Sequence, residues 1–408
     1  MNAPAKNISL ATLDVSDSTI YQRDAWAPYF ERLRAEDPVH YCPDSDFGPF
    51  WSITRYEDIV AIDSDHNRFS SEPTIVIGDV GEEIPIRNFI SMDQPGHDVQ
   101  RQAVQPVVAP KNLVEFESLI RGRVGEVLDG LPEGEPFDWV SRVSIDLTTK
   151  MLATIFAFPY EDRNLLPYWS DLAAGTPEIT GGSFTDEERG AGLGACLEYF
   201  TRLWHECDET TGRFDLISLM KRDPNTSDMV NDPMLYLGNL LLLIVGGNDT
   251  TRNSMSGGVY ALNKFPKEFD KLRADHSLIP NMVSEIIRWQ TPLMHMRRTA
   301  KCDVEFRGKH IKEGDKVVMW YLSGNHDDSM IEDPYSLIID RPNARRHMSF
   351  GFGIHRCMGN RLGEMQLRIL WEEILIRFSD IKVLEEPERV KSNFVRGYSK
   401  LMVEVTRL

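Results

Sequence analysis

The chain has no paired cysteines, no long apolar run and little positive charge. Its five cysteines, Cys42, Cys196, Cys207, Cys302 and Cys357, are odd in number and widely spaced, and no C-x-x-C occurs among them. That argues against a disulfide framework or a structural zinc site and suits one cysteine with a role of its own. The opening stretch from Met1 to Asp14 has no apolar core, so no signal peptide is expected. The longest apolar run, Leu235 to Val245, is interrupted by Gly238 and Asn239 and falls well short of the ~20 residues that span a bilayer. A buried helix is expected there, and no membrane anchor. Repeats, low-complexity tracts and Pro/Gly/Ser linkers are also missing. Residues 11–408 therefore read as one domain, behind a stretch, residues 1–10, expected to be disordered. Lys and Arg number 45 against 63 Asp and Glu, a formal net charge of −18. Such a field repels nucleic acid and anionic membrane surfaces. The composition points to a soluble cytoplasmic protein with no nucleic-acid partner, and solubility by itself accounts for the acidity.

With 408 residues, 41% of them hydrophobic, there is material for a sizeable core. Helical patterning dominates. Asn112 to Leu131 carries apolar residues at helical spacing. Asn231-Asp232-Pro233 reads as a cap followed by proline in the first turn, opening a helix that reaches about Leu262. Pro280 opens another helix through Trp289, stopped by Pro292. Met358 to Phe378 puts Met358, Leu362, Met365 and Ile369 on one face. Strand signals are fewer: Phe50 to Ile53, a strand and turn over Val304 to Ile311, and Lys316 to Tyr321. The expected class is mainly α with a minor β sheet.

The most informative stretch is Phe350-Gly351-Phe352-Gly353-Ile354-His355-Arg356-Cys357-Met358-Gly359. It delivers Cys357 through a glycine-rich loop to the start of an amphipathic helix. Glycines permit positive φ and a close approach to a flat ligand. The helix N-terminus supplies amides and a positive dipole end, which favour thiolate over thiol. A thiolate is a good ligand for haem iron and pushes electron density that favours O–O cleavage. A lone cysteine in such a turn would more simply be structural. The whole string, however, resembles the haem-binding signature of the cytochrome P450 family, F-x-x-G-x-(H/R)-x-C-x-G, at every fixed position. The resemblance implies the cytochrome P450 fold, haem b (iron protoporphyrin IX) as cofactor, and Cys357 as the axial metal ligand.

Further stretches match the family in order from about Asp93 onwards. Glu285-Ile286-Ile287-Arg288 resembles its Glu-x-x-Arg, whose members share one helix face. It implies a structural buried ion pair, with Arg341 as third member. A haem also brings two carboxylates, and burying them calls for cationic partners. His97 and Arg101, four apart after Asp93-Gln94-Pro95, resemble the family's His-x-x-x-Arg pair. Arg298 resembles the arginine that leads into the strand before Asp303, with its neighbour Arg297 as the alternative. His355, two residues before the cysteine, is the fourth candidate.

The long helix contains Gly246-Gly247-Asn248-Asp249-Thr250-Thr251. Glycine inside a helix costs ~1 kcal/mol relative to alanine, and a buried acid costs more. A helix interrupted and distorted beside the iron is therefore expected. Reductive activation of dioxygen consumes two protons. Thr250 can hold a water there, and Asp249 can pass protons from solvent, which makes them the catalytic candidates. A hinge without chemistry explains the glycines but not Asp249 with Thr250. The stretch resembles the family's (A/G)-G-x-(D/E)-T-(T/S), which favours oxygenase over peroxide-fed chemistry.

The same helix and the turn after Glu-x-x-Arg should line the substrate pocket, through Leu242, Val245, Gly246, Leu293, Met294 and Met296. All are apolar or small, which suits a flexible hydrocarbon. His295 is expected to face a hydrogen-bond partner in the wall. Residues 246–255, 293–300 and 341–357 look like the soluble bacterial alkane-hydroxylating subfamily, whose members attack the terminal carbon of medium-chain alkanes and often fatty acids. Rival readings are another apolar substrate, a terpene or an aromatic, and a non-catalytic haem protein that binds a ligand. No flavin or iron–sulfur motif occurs, so electrons must come from separate partners. The resemblance implies a ferredoxin and its NAD(P)H-dependent reductase, with O2 as co-substrate. Arg345, Arg346, Arg356 and Arg361 cluster around the cysteine loop against an acidic background and can steer an acidic ferredoxin there.

Overall fold

Asp232 accepts the Leu235 amide at 3.2 Å and Pro233 fills the first position, so the long helix starts at its expected cap and runs Pro233–Lys264. Its 32 residues extend about 48 Å at the standard rise. This computed structural model describes residues 8–79, 87–174, 184–208 and 213–408. The long helix is buried along most of its length. It packs against the helices Asp146–Ile155, Leu165–Ala174, Ile279–Gln290 and Asn360–Leu375. Together with Pro110–Asp129 these helices enclose the main apolar core, which contains Trp139, Trp169, Trp371 and Tyr236. Each large aliphatic side chain buried there contributes about 1.5–3 kcal/mol. Among the described residues no helix is long and apolar enough to cross a membrane.

A five-stranded sheet lies beside the helices, in the order Val39–Cys42, Phe50–Ile53, Lys316–Met319, Met296–Ala300, Phe69–Ser70. Its pairs are antiparallel except Phe50–Ile53 with Lys316–Met319, where Trp51 faces Val317. A smaller sheet joins Phe137–Asp138, Met402–Arg407 and Phe378–Val383. The expected strand and turn over 304–311 is a hairpin, Val304–Phe306 against Lys309–Ile311.

Several expectations need correction. The helix after Cys357 is Asn360–Leu375, because Met358 and Gly359 belong to the loop and Phe378 already starts a strand. On its expected face Leu362 and Ile369 are buried, while Met358 and Met365 are only partly so. The strand from Lys316 stops at Met319, since Tyr321 opens a short helix. The long helix continues as α-helix through Gly246–Thr251 and is not interrupted there. All five cysteines are free. Of the stretch expected to be disordered, residues 1–7 lie outside the described residues; one helical turn, Leu10–Thr12, follows, capped by Ser9.

Candidate haem and oxygen-activation site

The cysteine loop is built on two left-handed glycines, Gly351 and Gly353, with φ of 64° and 66°. Its closing bond runs from the Cys357 amide to the Phe350 carbonyl at 2.8 Å. Cys357 is open to its surroundings yet lies deep within the protein. Burial raises its thiol pKa; the amides of Gly359 and Asn360 and the charges of Arg101 and Arg356 pull the other way. The helix end thus faces the sulfur as expected, but burial outweighs it. A coordinated cation would reverse that balance, because a metal-bound thiol is deprotonated outright.

Beside this loop the structure gathers an unusual set of nitrogens. The His97 and His355 rings meet edge to face at 4.2 Å. His97 donates through Nδ1 to the Asp98 carboxylate, 2.8 Å away, and its Nε2 has no partner among the described residues. Neither ring nitrogen of His355 has one. Burial lowers the pKa of both rings, that of His355 to about 2, with Arg298, His97 and Arg101 adding to the effect. Arg101 ties its helix, Gly96–Val104, to the loop by donating to the Arg356 carbonyl at 2.6 Å. Each orphaned buried polar atom costs about 1–3 kcal/mol. A buried dicarboxylate with an iron that takes a thiolate satisfies these donors, so the residues present fit a haem.

Arg297 and Arg298 are separated by the strand alternation. Arg297 donates to Asp79 at 2.8 Å and to the carbonyls of Ile77 and Gly78. Arg298 turns to the other face, pairs with Asp63 at 2.8 Å and lies within electrostatic reach of both histidines. Sequence reasoning offered no sign of Asp63, whose partners are more than 200 positions away.

The ion triad is present. Arg288 grips Glu285 through two bonds of 2.8 Å, and Arg341 Nε adds 3.0 and 3.1 Å. Arg288 also donates to the Asn325 carbonyl at 2.8 Å, while the Asn325 side chain holds the Met348 amide and the Ser349 hydroxyl. The triad is thereby linked to the residues that lead into the cysteine loop.

On the long helix, Leu242, Val245, Gly246 and Thr250 are open or half-open, whereas Leu243, Ile244, Asn248 and Asp249 are buried. Spacings of three and four place the open residues on one stripe. Thr250 donates to the Gly246 carbonyl at 2.9 Å. A Cβ at Gly363, on the helix after Cys357, would stand 3.9 Å from Thr251, so the two motif-bearing helices meet here. Asp249 points away from Thr250. Arg252 stands 2.8 Å from its carboxylate, with Ser170 and Asn248 each at 3.2 Å. Burial raises its pKa against the pull of Arg252. Arg252 continues to Asp171, 2.8 Å away and half exposed. Arg252 was missed in the sequence although it lies one helical turn beyond Asp249.

Leu293 and Met296 are partly open, but Met294 is fully buried. It packs with Trp320, Phe50 and Val318 in a second core and does not line the pocket, contrary to expectation. His295 accepts from the Ile77 amide at 3.2 Å and donates to the Asn393 carbonyl at 3.0 Å.

The cytochrome P450 family profile matches residues 218–405. A linalool 8-monooxygenase of Pseudomonas putida is 32% identical over 96% of this chain and 98% of its own. A methyl-branched lipid omega-hydroxylase of Mycobacterium tuberculosis is 30% identical over 98% and 95%. The solved structure of Cytochrome P450-153 from Novosphingobium aromaticivorans is 46% identical, with a TM-score of 0.89 and coverage of 96% and 99%. A chain matched end to end at this identity shares more than a fold with its relatives, and it belongs to the cytochrome P450 family, the haem-thiolate monooxygenases.

Proposed function

We propose that residues 11–408 form a single haem domain that hydroxylates the terminal carbon of medium-chain linear alkanes or fatty acids. The observation that carries this reading is the open stripe Leu242–Val245–Gly246–Thr250, apolar except for one hydroxyl at its end. An apolar wall holds an extended chain by burial alone and leaves its end to be presented to the reacting centre. When bound, haem supplies the activation of dioxygen for insertion of one oxygen atom into a C–H bond. Cys357 would hold its iron through the thiolate. His97, Arg101, Arg298 and His355 would hold its carboxylates. Thr250 positions water at the end of the stripe, and Asp249 carries the proton, its carboxylate held by the permanently charged Arg252, which also pairs with Asp171 at the surface. The electron donors are a ferredoxin and its NAD(P)H-dependent reductase, and the enzyme is cytoplasmic.

The relative named for linalool favours a second reading, another apolar substrate such as a terpene. Turnover with ferredoxin, reductase and NADH separates them. Octane, dodecane, dodecanoic acid and linalool are offered singly and the products identified. Terminal alcohols from the linear chains are expected. Turnover of linalool alone, or attack only at inner carbons, would overturn the leading reading.

A further inference from the structure

Asp63 ends the helix Tyr56–Asp63 and is 4% exposed. A carboxylate so far from water is tolerated only when its oxygens are well bonded. Donors from three separate segments reach it. Arg298 Nη2 is 2.8 Å from one oxygen; the Tyr321 hydroxyl at 2.7 Å and the Phe352 amide at 2.8 Å share the other. Phe352 belongs to the cysteine loop, which sits directly on this helix end. A Cβ on Gly353 would stand 2.6 Å from the Asp63 carbonyl oxygen, and one on Gly351 would stand 3.3 Å from its carboxylate. Arg298 comes from the sheet and faces the His97–His355 cluster.

We propose that Asp63 is a positioning residue. One carboxylate holds the cysteine loop and the Arg298 guanidinium in register, so that Cys357 and Arg298 would meet a bound haem at a fixed separation. This rests on the reading of Cys357 as ligand and Arg298 as carboxylate partner. Asp63 itself touches neither haem nor substrate; it acts through Phe352 and Arg298.

Asp63→Asn tests it in the haem-loaded protein. The amide keeps the volume but replaces one acceptor with a donor, so either Arg298 or the Tyr321–Phe352 pair faces donor against donor. The reduced carbon-monoxide complex should lose the red-shifted Soret band of thiolate ligation about tenfold faster on mild warming, the size expected for one charged hydrogen bond. That loss should precede global unfolding followed by tryptophan fluorescence. Tyr321→Phe, which leaves two of the three contacts, should show a smaller change in the same direction. Wild-type rates in both variants, or band loss that merely follows global unfolding, would overturn the proposal. If Asp63→Asn yields no folded protein, Tyr321→Phe decides alone. Cys357→His is the control. If it keeps the band, the ligand reading fails by itself; if it loses the band while the Asp63 and Tyr321 variants behave as wild type, only the role of Asp63 fails.

Discussion

The Thr250 hydroxyl spends its proton on the Gly246 carbonyl, 2.9 Å away in the same helix. Its oxygen therefore faces the open stripe as an acceptor, suited to holding a water by that water's proton. Thr250→Ala should continue to consume NADH but divert most reducing equivalents to hydrogen peroxide, because proton delivery loses its anchor. Thr250→Ser should restore coupling. Peroxide and product are measured against NADH consumed; wild-type coupling in the alanine variant removes Thr250 from the relay.

Asp249 is the buried half of that route, and burial biases it toward the neutral form while Arg252 opposes this. A carboxyl raised above its ordinary range accepts a proton more readily, which suits a proton carrier. Asp249→Asn should slow turnover about 10²-fold, the low end for positioned proton transfer, with substrate-induced spectral shifts unchanged. An unaltered rate at saturating ferredoxin would show that protons arrive elsewhere.

Cys357→His exchanges the thiolate for an imidazole while keeping a ligand atom near the end of the loop. The protein should fold, and any haem bound should give a reduced carbon-monoxide complex without the red-shifted Soret band of thiolate ligation. Persistence of that band would mean another residue is the ligand.

Cys357 and the Gly246–Thr251 stretch were legible because their chemistry is local: short strings in which every position answers to one constraint. Arg341 joined Glu285 as the resemblance implied. Other features depend on contacts distant in sequence. Asp63 gains its meaning from Arg298, Tyr321 and Phe352, none of which its own neighbourhood announces. Met294 has the composition of a pocket residue, but it lies in the turn before the strand Met296–Ala300, its backbone is held by Phe394 and Leu322, and its side chain packs in the core around Trp320. The helix is not interrupted at the motif, because the glycines and Asp249 are accommodated within it: Gly246 fronts open space, and Asp249 finds Arg252, Ser170 and Asn248.

The triad separates a paired from an unpaired buried charge. Glu285→Gln leaves Arg288 and Arg341 buried without their anion and should cost about 3–5 kcal/mol, the range for breaking a buried pair from one side. Arg341→Gln should cost less, because Arg288 keeps both of its bonds to Glu285. Urea unfolding of the two variants tests the order; equal losses would mean that Arg341 carries as much as Arg288.

His295 gives the protein a sensitivity to acid. It is buried between Ile77 and Asn393, and burial lowers its pKa from 6.5 to about 4. The unfolded chain therefore binds a proton on this ring before the folded one does. Its contribution is intact above pH 6.5 and falls as the pH drops toward 4, for a loss of about 3 kcal/mol. His295→Gln should be less stable near neutrality, where it loses the ring's fit, but should lose less stability between these limits than wild type. Parallel stability curves would show that the ring already carries its proton in the folded state or that other groups dominate.

Arg345, Arg346, Arg356 and Arg361 are all exposed around the cysteine loop, with the Glu364 carboxyl lying among Arg345, Arg356 and Arg361. Burial raises the pKa of Glu364, and the arginines oppose that. The patch therefore remains net positive on an acidic protein, where it can steer an acidic ferredoxin. Arg346→Glu and Arg356→Glu should each raise the apparent KM for ferredoxin about three- to tenfold at low salt, because rim charges act mainly on the rate of encounter. The effect should shrink as salt rises, since screening acts over ~10 Å at 0.1 M. Arg356 is the stricter case: its carbonyl is held by Arg101, and it adjoins Cys357, so haem content must be measured alongside. Substrate-induced spectral shifts should not change, because the arginines are exposed around the cysteine loop while the open stripe belongs to the long helix. Full haem content with a wild-type ferredoxin response in both variants would place the docking surface elsewhere.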